Sequence, residues 1–287
     1  MPTPQNIDHL ILFLSVDPST NLPKVPPFIS NNFTLTPGGV HADGLTSNTL
    51  ILLADGCYIE LISFISPSRD VSSHWWARGR RDSGWIDWCL TNTSSAQDSW
   101  AAIGGADGSH SEPVEGGRKR ADGVVVQWAV TFPLGSHGGQ AVRGRVPFFC
   151  HDITDRSVRV PLSTERTTHA SGALGVHELT VIVRDKDLLA ETRDVYAKLF
   201  GRSGVRRGDE VCFQVGRVRD VDDLDGEARI VLRLPRDKRE FKSVEETPYW
   251  YGDIVLAAPA GQGKTLGTRR RLDDGDESVK GLWVEYV

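Results

Sequence analysis

Pro37–Phe64, PGGVHADGLTSNTLILLADGCYIELISF, decides how this chain is read, because it follows Asp8-His9-Leu10 at a distance that fits one small β-rich module. Thr49–Ala54 and Tyr58–Phe64 are apolar runs of strand length, and the Asp55-Gly56 pair between them favours a two-residue hairpin turn. Two antiparallel strands are therefore expected. Side chains alternate across a strand, so Tyr58, Glu60 and Ile62 share one face and Ile59, Leu61 and Ser63 the other. That alternation sets a carboxylate mid-strand among apolar residues. An ionised carboxylate buried alone costs several kcal/mol or is driven neutral, so Glu60 requires a cation, an arginine or a metal beside it. Upstream, Leu10–Leu14 is an apolar run with His9 at its entry and Pro18 beyond its end, the pattern of a buried strand. The module thus pairs a histidine on one strand with a glutamate on another.

Global composition narrows the classes. The 287 residues carry a net charge of −5 and are 39% hydrophobic, with no apolar run near the roughly 20 residues of a bilayer span. Met1–Asn6 is polar and lacks the basic start of a signal peptide, so a cytoplasmic protein without a membrane partner is expected. Cys57, Cys89, Cys150 and Cys212 are scattered without a CxxC pair, which argues against a zinc knuckle or a disulfide framework. Basic residues are dispersed apart from Arg269-Arg270-Arg271, so nucleic acid is not an expected partner.

Three β-rich modules fit the length. The first runs from about Ile7 to Ser66; within it Val16–Ile29, with four prolines, reads as a loop or a single turn. The second opens with the strand Gly84–Leu90, continues through a helix at Ser94–Ile103, and returns in strands at Val124–Phe132 and Val146–Cys150. Gly104–Gly123 inside it, rich in Gly, Ser and charge, reads as a mobile surface loop. A third begins with the strand Leu174–Val183. Asp187–Phe200 follows as a helix, with Asp185 or Asp187 as N-cap and Gly201 as the stop. Strands are then expected at Val211–Val218, Ala228–Leu234, Ile254–Ala258 and Leu282–Val287. Ala258–Thr265 approaches a phosphate-binding loop, but Leu266–Glu277 after it is charged and glycine-interrupted, so no nucleotide domain follows. No G-x-S-x-G elbow occurs, which removes the serine hydrolases of that type.

IDHLILFLS, PGGVHADGLTSNTL, DGCYIELISF, and later GRKRADG and RVPFFCHDITDR together resemble the glyoxalase-like domain family of the vicinal oxygen chelate superfamily, over roughly residues 7 to 165. Gly38, Gly39, His41, Asn48 and Leu50 match its most specific pattern, while Leu45 stands where the family has its third glycine. The resemblance implies an α+β protein of repeated βαβββ modules, forming a curved, half-open mixed-sheet barrel around a ligand cavity. Residues 1–165 would be a glyoxalase-like domain of two paired modules, and 166–287 a third, divergent module.

Carried over by position, His9 and Glu60 become metal ligands of the first module, with His151 the ligand of the second; Trp88 falls at the other position and cannot ligate. Two histidines and a carboxylate would accept Fe, Mn, Ni or Zn. A metal with open positions could bind two adjacent substrate oxygens as a Lewis acid. His41, in a glycine-flanked loop, would be a catalytic acid/base or a fourth ligand; Asn48 would fix a substrate oxygen, and Trp88 would belong to an aromatic wall of the substrate pocket. A rival set exists. GVHELTVIV and GLWVEYV echo the first and last strands of the opening module, so pairing of the first and third modules would join His177 and Glu285 to His9 and Glu60. The expected function is a metal-dependent isomerase, lyase or oxygenase acting on a small oxygenated organic molecule. The alternative is a metal-free small-molecule binding or sequestering protein of the same fold. Either reading leaves open a homodimer.

Overall fold

The computed structural model describes residues 3–65, 70–77, 84–104, 108–120, 122–261, 263–276, 279 and 281–287. Its first module comprises β1 (Asn6–Phe13), a minor hairpin of β2 (Val16–Asp17) and β3 (Leu22–Pro23), α1 (Pro27–Asn32), β4 (Thr36–His41), β5 (Thr46–Leu52) and β6 (Tyr58–Phe64). Ser66, the expected end of that module, lies outside the described residues. The second module is β7 (Gly84–Thr91), α2 (Ala96–Ala102), β8 (Val114–Lys119), β9 (Val125–Thr131) and β10 (Phe148–Asp152).

Both modules order their strands alike. The first strand runs parallel beside the last, and the middle strands follow antiparallel. β1 then pairs antiparallel with β7, and β4 with β8, so the hydrogen bonding closes in the ring β1-β6-β5-β4-β8-β9-β10-β7. The first module is therefore joined to the second. Closure leaves none of these eight strands with an unpaired edge, as barrels require.

Local sequence explains most of these elements. Proline is tolerated in a helix only in its first turn, and α1 accordingly begins at Pro27, the last of the four prolines. The β5–β6 turn is longer than a two-residue loop: the Gly56 N–H donates to the Leu53 carbonyl at 3.1 Å and the Leu53 N–H to that of Cys57 at 2.9 Å. Gly56 takes φ 83°, the left-handed value that favours glycine. Asp55 is drawn away to other work: its carboxylate accepts from the N–H groups of Cys57 and Val176, both at 3.0 Å, and pairs with Arg217 at 3.4 Å.

The segment read as a surface loop contains β8. Residues 105–107 and 121 of that segment lie outside the described residues, but Val114–Lys119 pairs with β4 on one side and β9 on the other. Its glycines serve close approach. A Cβ on Gly116 would stand 2.6 Å from Trp128 Nε1, and one on Gly117 2.8 Å from the Val126 carbonyl oxygen.

Beyond the barrel, α3 (Arg156–Arg159) and α4 (Thr164–Thr167) lead to β11 (Gly175–Val183), α5 (Lys186–Phe200), β12 (Val205–Arg207), β13 (Glu210–Val215) and β14 (Ala228–Arg233). β11 lies parallel beside β14, so the βαβββ pattern appears a third time. α5 starts where the Asp185 carboxylate accepts from the Leu188 N–H at 2.9 Å, and stops at Gly201 with φ 62°. After α6 (Lys238–Glu246) come β15 (Tyr249–Ala258), β16 (Arg269–Arg271) and β17 (Leu282–Tyr286). β15 meets β11 antiparallel and β17 parallel, repeating how β7 meets β1 and β10. Between β15 and β16 the described residues form no helix, and Gln262 of the phosphate-loop look-alike and Glu277 after it lie outside them. The second sheet therefore runs β12-β13-β14-β11-β15-β17-β16 and stays open, with β12 and β16 as free edges.

The outward faces of the two sheets share one core. Leu10 and Leu12 of β1 and Ile59 of β6 join Leu179 of β11, Leu256 of β15 and Tyr196 of α5 in a single apolar cluster. The barrel's inner face lines a cavity of mixed polar and aromatic residues. No helix among the described residues is long and apolar enough to cross a membrane.

Candidate functional site in the barrel

The barrel encloses a cavity of about 260 Å³, into which His9, His41, Asn48, Glu60, Arg118 and Trp128 all project. β1, β4, β5, β6, β8 and β9 each contribute one of them. Hairpin pairing of β5 with β6, and of β4 with β5, fixes which face each side chain takes. Two further walls are aromatic, Phe132 and Phe148.

Glu60 is the hub. Its Oε1 accepts from Asn48 Nδ2 at 2.6 Å and lies 3.5 Å from His41 Nε2, while its Oε2 lies 3.7 Å from His9 Nε2. Burial alone would raise this carboxyl, but the bond and charge of His41, the charge of His9 and the Asn48 amide outweigh it and hold the pKa at about 2. The partner demanded by the sequence is thus present as two imidazoles and an amide.

Each imidazole is held from behind. His9 Nδ1 is 2.7 Å from Asp8 Oδ2, and its ring stacks on Tyr58 with centroids 4.6 Å apart. His41 Nδ1 is 2.6 Å from Thr46 Oγ1. Engaging both Nδ1 atoms leaves both Nε2 atoms facing Glu60, the way outer partners orient ligating histidines. Donor atoms on one first-row metal at about 2.1 Å stand about 3.0–3.5 Å apart. The two separations to Glu60 are close to that range but go to different oxygens, and the three side chains do not bring one donor atom each within 4.8 Å of the others, so an ion held by His9, His41 and Glu60 would have to draw them together.

Asp8, His9 and Cys89 form a second grouping, with one donor atom from each within 4.8 Å of the others. Its chemistry is poorer. Asp8 already receives Arg159 at 2.8 and 3.1 Å and also Arg156, and burial lifts the Cys89 thiol well above its usual range, so neither is free to bind a cation. Burial alone would raise the Asp8 carboxyl, yet the two guanidiniums hold it well below the usual range. Asp8 is thus the counter-ion that ties α3 to the barrel and orients His9.

Asn48 joins the halves of the site. Its Oδ1 accepts from the Gly39 N–H at 3.0 Å and from Arg118 Nη1 at 2.9 Å, while its Nδ2 serves Glu60. A Cβ on Gly38 would lie 1.9 Å from that Oδ1. Gly38→Ala is therefore expected to cost about 2–3 kcal/mol by overpacking and to push Asn48 off Glu60. Chemical denaturation checks the first effect; a variant as stable as the wild type would remove Gly38 from the site's support.

The glyoxalase-like domain family matches residues 7–199 of this sequence. The chain belongs to the glyoxalase-like domain family. No curated protein sequence matches this family member. Among solved structures, a hypothetical protein from Staphylococcus aureus superposes with a TM-score of 0.63 at 12% identity, covering 99% of each chain. A mutant of 4-hydroxymandelate synthase from Streptomyces coelicolor superposes at 0.50 and 13% identity, covering 90% of this chain and 72% of that one. At such identities the likeness speaks for the fold.

Within this glyoxalase-like barrel the expected site residues divide. His9, His41, Asn48 and Glu60 meet in one cavity; His151 and Trp88 do not join them. Side chains alternate along β10, so Cys150 faces the cavity and His151 faces a separate cleft beside Asn92, with His151 Nε2 3.4 Å from Asn92 Oδ1. Trp88 is fully buried in the core between the sheets, and its Nε1 donates to the Gly144 carbonyl at 3.0 Å. His177 and Glu285 approach each other at 3.6 Å, but on the second sheet. The shift that interrupts pairing between Ile7 and His9 recurs between Val176 and Glu178. That alignment sets Glu178 in the place of His9 and His177 in the place of Asp8. Sequence reasoning missed Arg118, although it sits in GRKRADG, because a strand with two glycines reads as a loop.

Proposed function

We propose that this protein is a metal-dependent enzyme acting on a small oxygenated organic molecule in the barrel cavity, with residues 1–165 carrying the chemistry and 166–287 supporting it. The convergence of two backed imidazole Nε2 atoms on the two oxygens of Glu60 carries this reading. His9, His41 and Glu60 would hold the ion. A divalent metal supplies Lewis acidity to neighbouring substrate oxygens, in isomerase, lyase or oxygenase chemistry. The chain's own groups set the stage for it. Asn48 positions Glu60, the aromatic walls exclude water, and His74, paired with Asp43 at 3.4 Å, stands at the cavity lining as a proton carrier. Fold kinship with a structure named a synthase accords with an enzyme.

The test is metal content by elemental mass spectrometry on protein purified without a histidine tag. About one divalent ion per chain, removed by chelator and restored on reconstitution, is the expected result. No ion after reconstitution would sink the proposal in favour of a metal-free binding protein. One observation favours that second reading: Asn48 and the two histidines already satisfy Glu60 without a cation.

A further inference from the structure

Arg118 is 5% exposed, and among the described residues no carboxylate pairs with it. Its partners are neutral oxygens: Nη1 donates to Asn48 Oδ1 at 2.9 Å and Nη2 to the Arg159 carbonyl at 3.3 Å. Its Nε, fully buried, has no hydrogen-bond partner among the described residues. A guanidinium is charged at any physiological pH, and burying one without an anion costs far more than burying a paired one. Burial is the largest influence against its charge; Tyr58 and Glu60 favour that charge from a distance, and Arg159 and Arg120 repel it.

Most nearby acids are committed elsewhere. Asp8 and Asp152 are both bound by Arg156 and Arg159, Asp43 pairs with His74, and Glu60 faces the two histidines and is hydrogen-bonded to Arg118 only by way of the Asn48 amide, while Glu115, also at the cavity lining, is exposed and forms no ion pair with Arg118. Arg118 is nonetheless part of the cavity wall, which it shares with Trp128, Phe132 and Phe148. A buried cation with no directly bonded anion, next to aromatic walls, is complementary to an apolar acid.

We infer that Arg118 is the receptor for a substrate carboxylate, so that the cavity takes a small carboxylic acid with an aromatic or compact apolar body. This deepens the proposed function and rests on the same cavity being the site. It also gives the substrate two neighbouring anchors: the acid group at Arg118 on β8 and the reacting oxygens toward His9, His41 and Glu60, with His41 the cross-strand partner of Arg118. Asn48, bonded to both Arg118 and Glu60, would then couple acid binding to the position of the reacting end.

Calorimetric titration of metal-stripped protein in chelator, with phenylacetate, 3-phenylpropanoate and hexanoate beside their uncharged amides, tests this without a metal contribution. At least one acid is expected to bind about 30-fold or more tighter than its amide, the usual size of a charge-assisted hydrogen bond. Arg118→Gln should erase that preference while leaving amide binding within about threefold, and Arg118→Lys should keep part of it. Equal binding of acid and amide, retained acid preference in Arg118→Gln, or no acid bound at about 10 mM would each overturn the inference. If the Gln variant does not fold, the wild-type acid-to-amide ratio and the Lys variant decide. Metal content in the same samples keeps the two proposals apart. Arg118→Gln should retain its ion, whereas His9→Ala should lose the ion yet keep acid preference in chelator.

Discussion

Asp8→Asn is expected to destabilise the protein by about 3–5 kcal/mol at pH 7, with a fall in Tm of roughly 10 °C. Asp8 is fully buried and receives both Arg159 nitrogens, at 2.8 and 3.1 Å, together with Arg156. The isosteric amide removes one negative charge and leaves Asp152 alone to balance two guanidiniums beside the barrel. Much of the loss is the penalty of under-neutralised cations, so adding Arg159→Met should recover part of it. The pH dependence has a defined sign. Asp8 is held well below its unfolded value of 3.8, so the native state binds fewer protons there than the unfolded state. Its contribution is fully present above about pH 4 and is lost as pH falls toward the native pKa. The stability gap between wild type and Asp8→Asn should therefore be wide at pH 7 and close in acid. A gap that is constant from pH 7 to pH 3 would show that Asp8 does not carry this charge in the fold.

Glu60→Gln should lower metal affinity at least about 100-fold while the fold survives. Glutamine keeps the shape, and its carbonyl oxygen can still accept the Asn48 amide that now lies 2.6 Å from Oε1. What disappears is the anion on which His9 and His41 converge. His41→Ala should lose the ion similarly, because Thr46 backs that ring as Asp8 backs His9. His151→Ala should retain it, since His151 faces the cleft beside Asn92 and not the barrel interior. Elemental analysis after equilibrium dialysis reads all three. Metal retained in Glu60→Gln but lost in His151→Ala would place the ion outside the barrel.

How much of this could be read from the residues follows from the range of the interactions involved. The face shared by Tyr58, Glu60 and Ile62 is a matter of strand alternation, and a short hairpin fixes the register that sets Asn48 opposite Ile62 and next to Glu60's face. Those residues were legible. His151 and Trp88 failed on parity: each is one residue from the position that faces inward, Cys150 and Cys89. A single-residue offset reverses every side chain of a strand, and the irregularity between Ile7 and His9 that sets the β1–β7 offset leaves no mark in the sequence. Arg118 was hidden for a different reason. Gly116 and Gly117 lower strand propensity, yet they are required because Trp128 and the Val126 carbonyl press on the backbone there. Pairing of the first module with the second is made by β1 with β7 and by β4 with β8, strands far apart in the sequence. Such long-range pairing has no local signature.

The second sheet repeats the barrel's strand order but stops short of a ring, which leaves the hydrogen-bonding groups of β12 and β16 turned outward. Five of the six residues in those two strands, Val205-Arg206-Arg207 and Arg269-Arg270-Arg271, are arginine, and all six are exposed. Unfinished sheets invite a neighbour's strand to continue them, and like charge along both borders opposes that growth. Arg269 surrenders part of its charge to Glu285 at 2.8 Å and Arg271 to Asp273 at 2.6 Å, so the protection is carried mainly by Arg206, Arg207 and Arg270. Being coulombic and solvent-exposed, it weakens as salt screens it. The chain thus tolerates an incomplete ring by making its loose ends repel one another, a form of colloidal self-avoidance built into two three-residue strands.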